Sequence, residues 1–217
     1  MNTFNKHTYN SVVAAILCLL ASCTHTTESR SITSQGVVRI KTDVLDSLNL
    51  ISKVLNPVII ETINHETLDS LNYDTIYNCF CFSNDIKSRA YYPTHSVIYF
   101  DGEPASDGRY KTLLNNEWHY IDSNNNFVEY MPWKKFLLNV PFFDIEPGSN
   151  LYSRPNSGSD IISIERQNIY FQPLKVEGDW VYVDIINGED IFSPIGRGWI
   201  RWRNGNEFLL KTLYFDI

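Results

Sequence analysis

Two cysteines stand two residues apart in the run Tyr77-Asn78-Cys79-Phe80-Cys81-Phe82. The run reads as a strand, so both thiols point to one face. Their Cα atoms then lie near the upper limit of disulfide spacing, with side chains parallel rather than converging. A bridge between them requires a distorted strand. A metal centre needs two more ligands, and only the scattered His65, His95 and His119 offer them. The pair is expected to be two small buried hydrophobes, with a redox pair or an intermolecular bridge as the alternatives. A cysteine nucleophile belongs at a helix start beside a base, which a strand does not provide. The paired acids Glu189-Asp190 and Asp101/Glu103 sit in glycine-containing segments, where solvated turn carboxylates are expected. His119 lies between Trp118 and Tyr120 and is expected to be structural. No serine elbow, phosphate loop, zinc helix or dinucleotide fingerprint occurs. The expectation is a protein that is not an enzyme and takes no cofactor or metal.

The residues better suited to chemistry are those of recognition. From Trp180 the chain alternates: Val181, Val183 and Ile185 share one face, Trp180, Tyr182 and Asp184 the other. After Gly198, Ile200 and Trp202 oppose Trp199, Arg201 and Arg203. With the aliphatic sides buried, two tryptophans, a tyrosine and two arginines face outward. Aromatics beside arginines suit flat or polar ligands at low entropic cost. Tyr152, Trp180, Tyr182, Trp199, Arg201 and Arg203 are the candidate ligand-binding residues; the alternative is that the tryptophans pack under loops or against the preceding domain.

The elements that must hold these residues are strands. The chain has 217 residues, 43% hydrophobic and 20% charged, so a folded core is expected. Aromatics reach 14%, with 13 Tyr against 2 Met, a bias toward β-structure. The net charge of −7, without a long basic run, argues against nucleic acid as a partner.

Strands are expected at 37–41, 58–63, 76–82 and 96–100, with turns at 101–104 and 106–108. Residues 44–55 space their apolar positions as a short helix, with Asp43 as cap and Pro57 beyond. Residues 118–122 and 127–130 are expected to pair as a hairpin around Ser123-Asn124-Asn125-Asn126. Pro141 and the turn Glu146-Pro147-Gly148-Ser149-Asn150 mark a boundary. Beyond it come short strands at 151–152, 161–164, 170–176, 180–186 and 199–203, a tight-turn signal at Asn204-Gly205, and a last strand within 208–215. A weak echo links Glu117-Trp118-His119-Tyr120-Ile121-Asp122 to Asp179-Trp180-Val181-Tyr182-Val183-Asp184.

The first residues address the chain. Lys6 and His7 precede an unbroken small or apolar run from 12 to 21, too short to cross a bilayer but long enough for a secretory signal. The run ends Leu20-Ala21-Ser22-Cys23, which resembles the lipobox of bacterial lipoproteins at all four positions. The resemblance implies cleavage before Cys23, with loss of Cys18, and lipid on the Cys23 sulfur, a palmitate-type acyl anchor in the membrane. Thr24, where Asp would signal inner-membrane retention, points to the outer membrane. Residues 24–35 are polar and rich in Ser and Thr, a flexible tether.

The C-terminal text carries a second resemblance. Leu151-Tyr152-Ser153-Arg154-Pro155, then Leu174 through Gly178-Asp179-Trp180-Val181-Tyr182-Val183, then Gly198-Trp199-Ile200, resembles the bacterial Src-homology-3 (SH3-like) domain over residues 145–203. The segment 187–197 is read as a loop longer than the family's tight turn, and the chain continues past the Gly-Trp strand. The expected fold is mainly β: an SH3-like small barrel preceded by a β-rich or α+β domain. The expected division is 1–22 signal peptide, 23–35 lipidated Cys and tether, 36–140 β-rich domain and 141–217 barrel. The resemblance implies a cell-envelope lipoprotein that binds peptidoglycan or an extended peptide of an envelope protein without catalysis. The alternatives are a structural or inhibitory, immunity-type envelope partner and, third, a cell-wall hydrolase.

Overall fold

The computed structural model describes residues 34–41, 57–74, 79–81, 88–92, 97–164 and 168–215. The signal segment, Cys23 and the expected helix at 44–55 lie outside them. The described chain is mainly β, in two antiparallel sheets with one short helix. No helix among the described residues is long and apolar enough to cross a membrane.

The first sheet contains β1 (Gly36–Ile40), β2 (Val58–Glu61), β3 (Thr67–Asp74), β4 (Cys79–Cys81), β5 (Ala90–Tyr92), β6 (Val97–Pro104), β7 (Arg109–Leu114), β8 (Glu117–Asp122) and β9 (Val128–Pro132). Its order is β4-β3-β2-β8-β7-β6-β1-β9, with β5 pairing onto β6. Successive residues of β1 and β6 go to different cores. Val37, Val97 and Tyr99 face the second sheet, while Val38, Ile98 and Phe100 face the inner concavity. The middle of the sheet is therefore buried on both sides, which is why these strands read as apolar runs rather than as alternations. Phe80 on β4 lies tilted against Phe127 beside β9, with ring centroids 5.3 Å apart, so the two ends of the sheet curl together over that concavity.

Two local expectations fail in the structure. Residues 101–104 are not a turn; they continue β6, and Asp101 sits opposite both Val37 and Leu113. β8 and β9 do not form a hairpin around 123–126. Both edges of β8 are occupied, by β7 and by β2, so the chain crosses to the far edge of β1, where Val38 meets Tyr130. The tight hairpin lies one strand earlier, between β7 and β8, where Asn115 and Asn116 both have positive φ (50° and 69°) and Leu114 faces Glu117. That is the geometry a two-residue turn of this hand needs.

A helix that the sequence reading lacks, α1 (Trp133–Asn139), follows Pro132 at its N-cap. Trp133, Phe136 and Leu137 are buried along one side at helical spacing. Val140 is already extended, and Pro141 follows. With seven residues, α1 owes its stability to that buried side rather than to propensity.

The second sheet contains β10 (Phe142–Ile145), β11 (Ile169–Glu177), β12 (Trp180–Asn187), β13 (Asp190–Arg201) and β16 (Leu210–Tyr214), in the order β13-β12-β11-β10-β16. The small hairpin β14 (Arg203–Asn204) and β15 (Glu207–Phe208) turns at Gly205, as Asn204-Gly205 signals. The expected strands at 151–152 and 161–164 reduce to single bridges, Tyr152 to Trp199 and Tyr152 to Ile161. The sheet is not closed into a barrel: β13 and β16 are its two ends. The segment 187–197 is not a long loop. β13 pairs with β12 up to Asn187 and Asp190, so only Gly188 and Glu189 turn, with irregular register between Ile185 and Asn187.

One hydrophobic core joins the sheets. It gathers Val37, Val97 and Met131 from the first, Trp133, Phe136 and Leu137 from α1, and Phe171, Val181 and Trp202 from the second. Trp133 is the hub: its ring lies 5.8 Å from Trp202 and 5.9 Å from Phe208, and its indole N–H donates to the Ser34 carbonyl at 2.9 Å.

Candidate functional site

β12 positions the outward aromatics. Val181, Val183 and Ile185 are buried while Trp180 and Tyr182 are half-exposed, so the alternation of this strand is realised through Val183. From Asp184 on it fails: Asp184, expected to face outward, is buried under its pair with Arg197, and where the register shifts Ile185 and Ile186 are both buried. Gly178 opens the two-residue turn before β12 with φ +55°, a conformation open to glycine without strain. Trp202 holds that turn from the core: its indole N–H donates to the Gly178 carbonyl and its backbone N–H to Asp179, both at 2.9 Å.

β13 then lays Trp199 opposite Tyr182 and Arg201 opposite Trp180. The glycine of Gly198-Trp199 has a steric origin. A Cβ there would stand 2.6 Å from Leu151 Cγ, so only glycine lets the buried Leu151 close against the strand. With Leu151 seated, Tyr152 exchanges two backbone hydrogen bonds of 2.8 Å with Trp199. The segment that carries Tyr152 is thus held by the same motif that carries Trp199.

Four of the six candidate residues form one patch. Tyr152 and Trp180 meet edge to face at 5.3 Å, and Tyr182 and Trp199 lie tilted at 5.0 Å. Across the strands the outward row reads Lys175, Tyr182, Trp199, Tyr152, Ile161. It spans about 19 Å at the usual interstrand spacing. Arg201 belongs to its margin, its guanidinium 6.0 Å from the Trp180 ring and 3.9 Å from the Asp179 carboxylate. Its Nε is buried and has no hydrogen-bond partner. Arg203 is drawn away from the row: it pairs with Asp179 at 2.6 Å and lies 4.8 Å over Trp202, whose ring belongs to the core. Arg197 borders the other side, bound to the buried Asp184 at 2.6 Å; that hydrogen bond raises its pKa above the ordinary arginine value.

Lys175 and Ile161 join the patch without a sequence signal. Leu174 is an extra residue in β11 that shifts the register, and the bridge of Ile161 to Tyr152 is a contact between loops. Lys175 also pairs with Glu177. The charges around the row come from Lys175, Arg197 and Arg201 against Glu177, Asp179 and Asp184, a balanced edge on a chain of net charge −7.

The groups weighed for catalysis are dispersed. Cys79 and Cys81 lie in β4, opposite Asp74 and Asn72, and Cys81 is half-buried. Among the described residues no three His, Cys, Asp or Glu side chains cluster as metal ligands. Asp101 is not a solvated turn acid: it is buried in a two-pronged pair with Arg89, at 2.7 and 2.6 Å. Glu189 and Asp190 are exposed at the β12–β13 turn. His119 has a side chain 11% exposed, 4.0 Å from Glu117, with Nδ1 buried and unpartnered. Trp118 and Tyr120, the echo of Trp180 and Tyr182, are covered by cations: Lys111 lies 4.3 Å over Trp118 and Arg109 4.2 Å over Tyr120.

No protein-family model matches the chain, and neither a curated protein nor a solved structure is detectably similar to it.

Proposed function

We propose that this chain is a cell-envelope lipoprotein, held in the outer membrane through Cys23, whose C-terminal part is an SH3-like module that binds an extended ligand without catalysis. The observation that carries the binding reading is the half-exposed row Tyr182-Trp199-Tyr152, flanked by Trp180 and Arg201. Support for the SH3-like reading comes from the strand order. β10 to β13 run as an antiparallel meander and β16 returns to pair with β10, giving the five antiparallel strands of a small barrel left open between β13 and β16.

Ring faces stack on flat or apolar groups, and Arg201 brings a donor for carboxylate or carbonyl oxygen at one end. The ligand class that satisfies both is an extended peptide or peptide-bearing polymer with acidic groups; in the envelope, peptidoglycan is the abundant one. Buried aromatic anchors in such sites are each worth about 2 kcal/mol or more, roughly 30-fold in affinity. The chain with Trp180→Ala and Trp199→Ala is therefore expected to lose at least that much retention on purified sacculi, with its melting temperature followed alongside as the control for folding. Equal retention of the two chains sinks the peptidoglycan reading.

The anchor has its own test. Cys23→Ala removes the sulfur on which the lipobox reading places the lipid, so the chain is expected to move from the membrane to the soluble fraction. Continued sedimentation with membranes would refute it. This outcome is independent of what the aromatic row binds.

A further inference from the structure

We propose that β13 joins a second copy of this chain edge to edge, through residues 190–197. β13 ends its sheet, with β12 on one side. Its other edge is taken at Trp199, where Tyr152 fills both backbone positions. Over 190–197 no described strand covers that edge. The Phe192 N–H is taken locally by the Asp190 carboxylate at 3.1 Å, and the backbone groups of the rest of the segment are a template for another strand.

The side chains of this segment favour a partner of the same sequence. Phe192 is 89% exposed and Ile195 59% exposed, both pushed outward where the register with β12 shifts. Acid lies at one end, in the exposed Glu189 and Asp190, and base at the other, in Arg197, whose side chain is 59% exposed although it pairs with Asp184. An antiparallel copy brings the acidic end of one strand beside the basic end of the other, twice, and gathers Phe192 and Ile195 of both copies at the centre. A parallel copy would set like charges side by side.

The length of the free edge fits as well. Running antiparallel, the second copy's strand ends at Asp190 opposite Arg197 and turns back to its own β12 through Gly188 and Glu189, so it does not continue along the edge that Tyr152 occupies at Trp199. Pro194 removes one N–H and the bulged register bends the strand, so the contact is short and falls at the weak end of specific interfaces. A two-fold axis through this edge stands perpendicular to the joined sheets. Both Tyr152-Trp180-Tyr182-Trp199 patches then face the same side, a bivalent surface for a polymeric ligand. The dimer itself does not depend on what those patches bind.

Sedimentation equilibrium on the full chain in detergent tests it. A reversible monomer–dimer equilibrium in the micromolar range is expected. Asp190→Lys, Arg197→Glu and Phe192→Ser are each expected to weaken it at least about tenfold. An equimolar mixture of the Asp190→Lys and Arg197→Glu chains is expected to dimerise again, because the mixed pair restores opposite charges at both ends. Phe192→Ser changes an exposed side chain and is expected to retain the wild-type melting temperature, which keeps the test independent of the Asp190–Phe192 and Arg197–Asp184 hydrogen bonds. A wild-type chain that stays monomeric up to about 500 µM overturns the proposal and leaves the edge to a strand of another protein. So does a dimer that all three substitutions leave intact.

Discussion

Asp101→Asn is expected to remove about 3–5 kcal/mol of folding stability, read from urea unfolding. The partner is Arg89, whose side chain is 0% exposed against 4% for that of Asp101. The Arg89 guanidinium lies 4.4 Å from the Phe208 ring and 5.3 Å from the Trp133 ring. Three elements meet there: β6 supplies the acid, α1 one ring, and β15 of the C-terminal half the other. Neutralising the acid leaves a cation among aromatic rings with no carboxylate to answer it, and its Nη1 already lacks a partner. Most domains hold only about 5–15 kcal/mol in all, so the loss is a large share. The double change Arg89→Met with Asp101→Leu removes both charges and is expected to come out near neutral, because desolvation of the pair offsets most of its attraction. A cost below about 1 kcal/mol for Asp101→Asn would show that the pair is solvated and the junction open.

The second large effect is that of Trp133→Ala, at about 3–5 kcal/mol. Its consequence should reach both sheets at once. Trp133 touches Trp202 and Phe208 on one side and is tied to Ser34, beside β1, on the other. Hydrogen exchange is the suitable readout, since fluorescence would lose its own reporter. Amides of β1 and β12 are expected to lose protection together. For the same reason residues 141–217, expressed alone, are expected to remain unfolded: they leave behind Trp133, Phe136 and Val140, which bury against them. If that fragment gives a dispersed amide spectrum, or if β12 keeps its protection in Trp133→Ala, the two sheets are energetically separate and the shared core is not required.

Several features were legible because they are local. The Gly178 turn, the Asn204-Gly205 turn and the alternation from Trp180 to Val183 depend on neighbouring residues and a period of two. The misses have physical causes of equal clarity. α1 spans seven residues, shorter than the window in which helical periodicity can be told from chance, although Pro132 and the spacing of Trp133, Phe136 and Leu137 were there to be read. The strand through Asp101 was hidden by Gly102 and Pro104, which resemble a turn when the neighbours they lie against are unknown. The hairpin expected at 123–126 failed because pairing is competitive. β8 was already occupied on both edges by β7 and β2, the latter some sixty residues earlier in the chain.

Sequence alone determined which residues share a face at the start of β12 and the end of β13, because a strand sends successive residues to opposite faces whatever lies around it. It determined the mainly β character through composition, and it carries the only signal for Cys23. Tertiary structure decided the rest. It reduced the barrel to an open sheet, turned the supposed loop at 187–197 into an exposed strand, and drew Arg203 away to Asp179 and Trp202. It also set Lys175 and Ile161 beside the aromatic row and buried Asp101 against Arg89. The reason is common to all of them. Which strand lies beside which, and what covers a given face, are set by the free energy of contacts between residues far apart in the chain, and no local pattern carries that information.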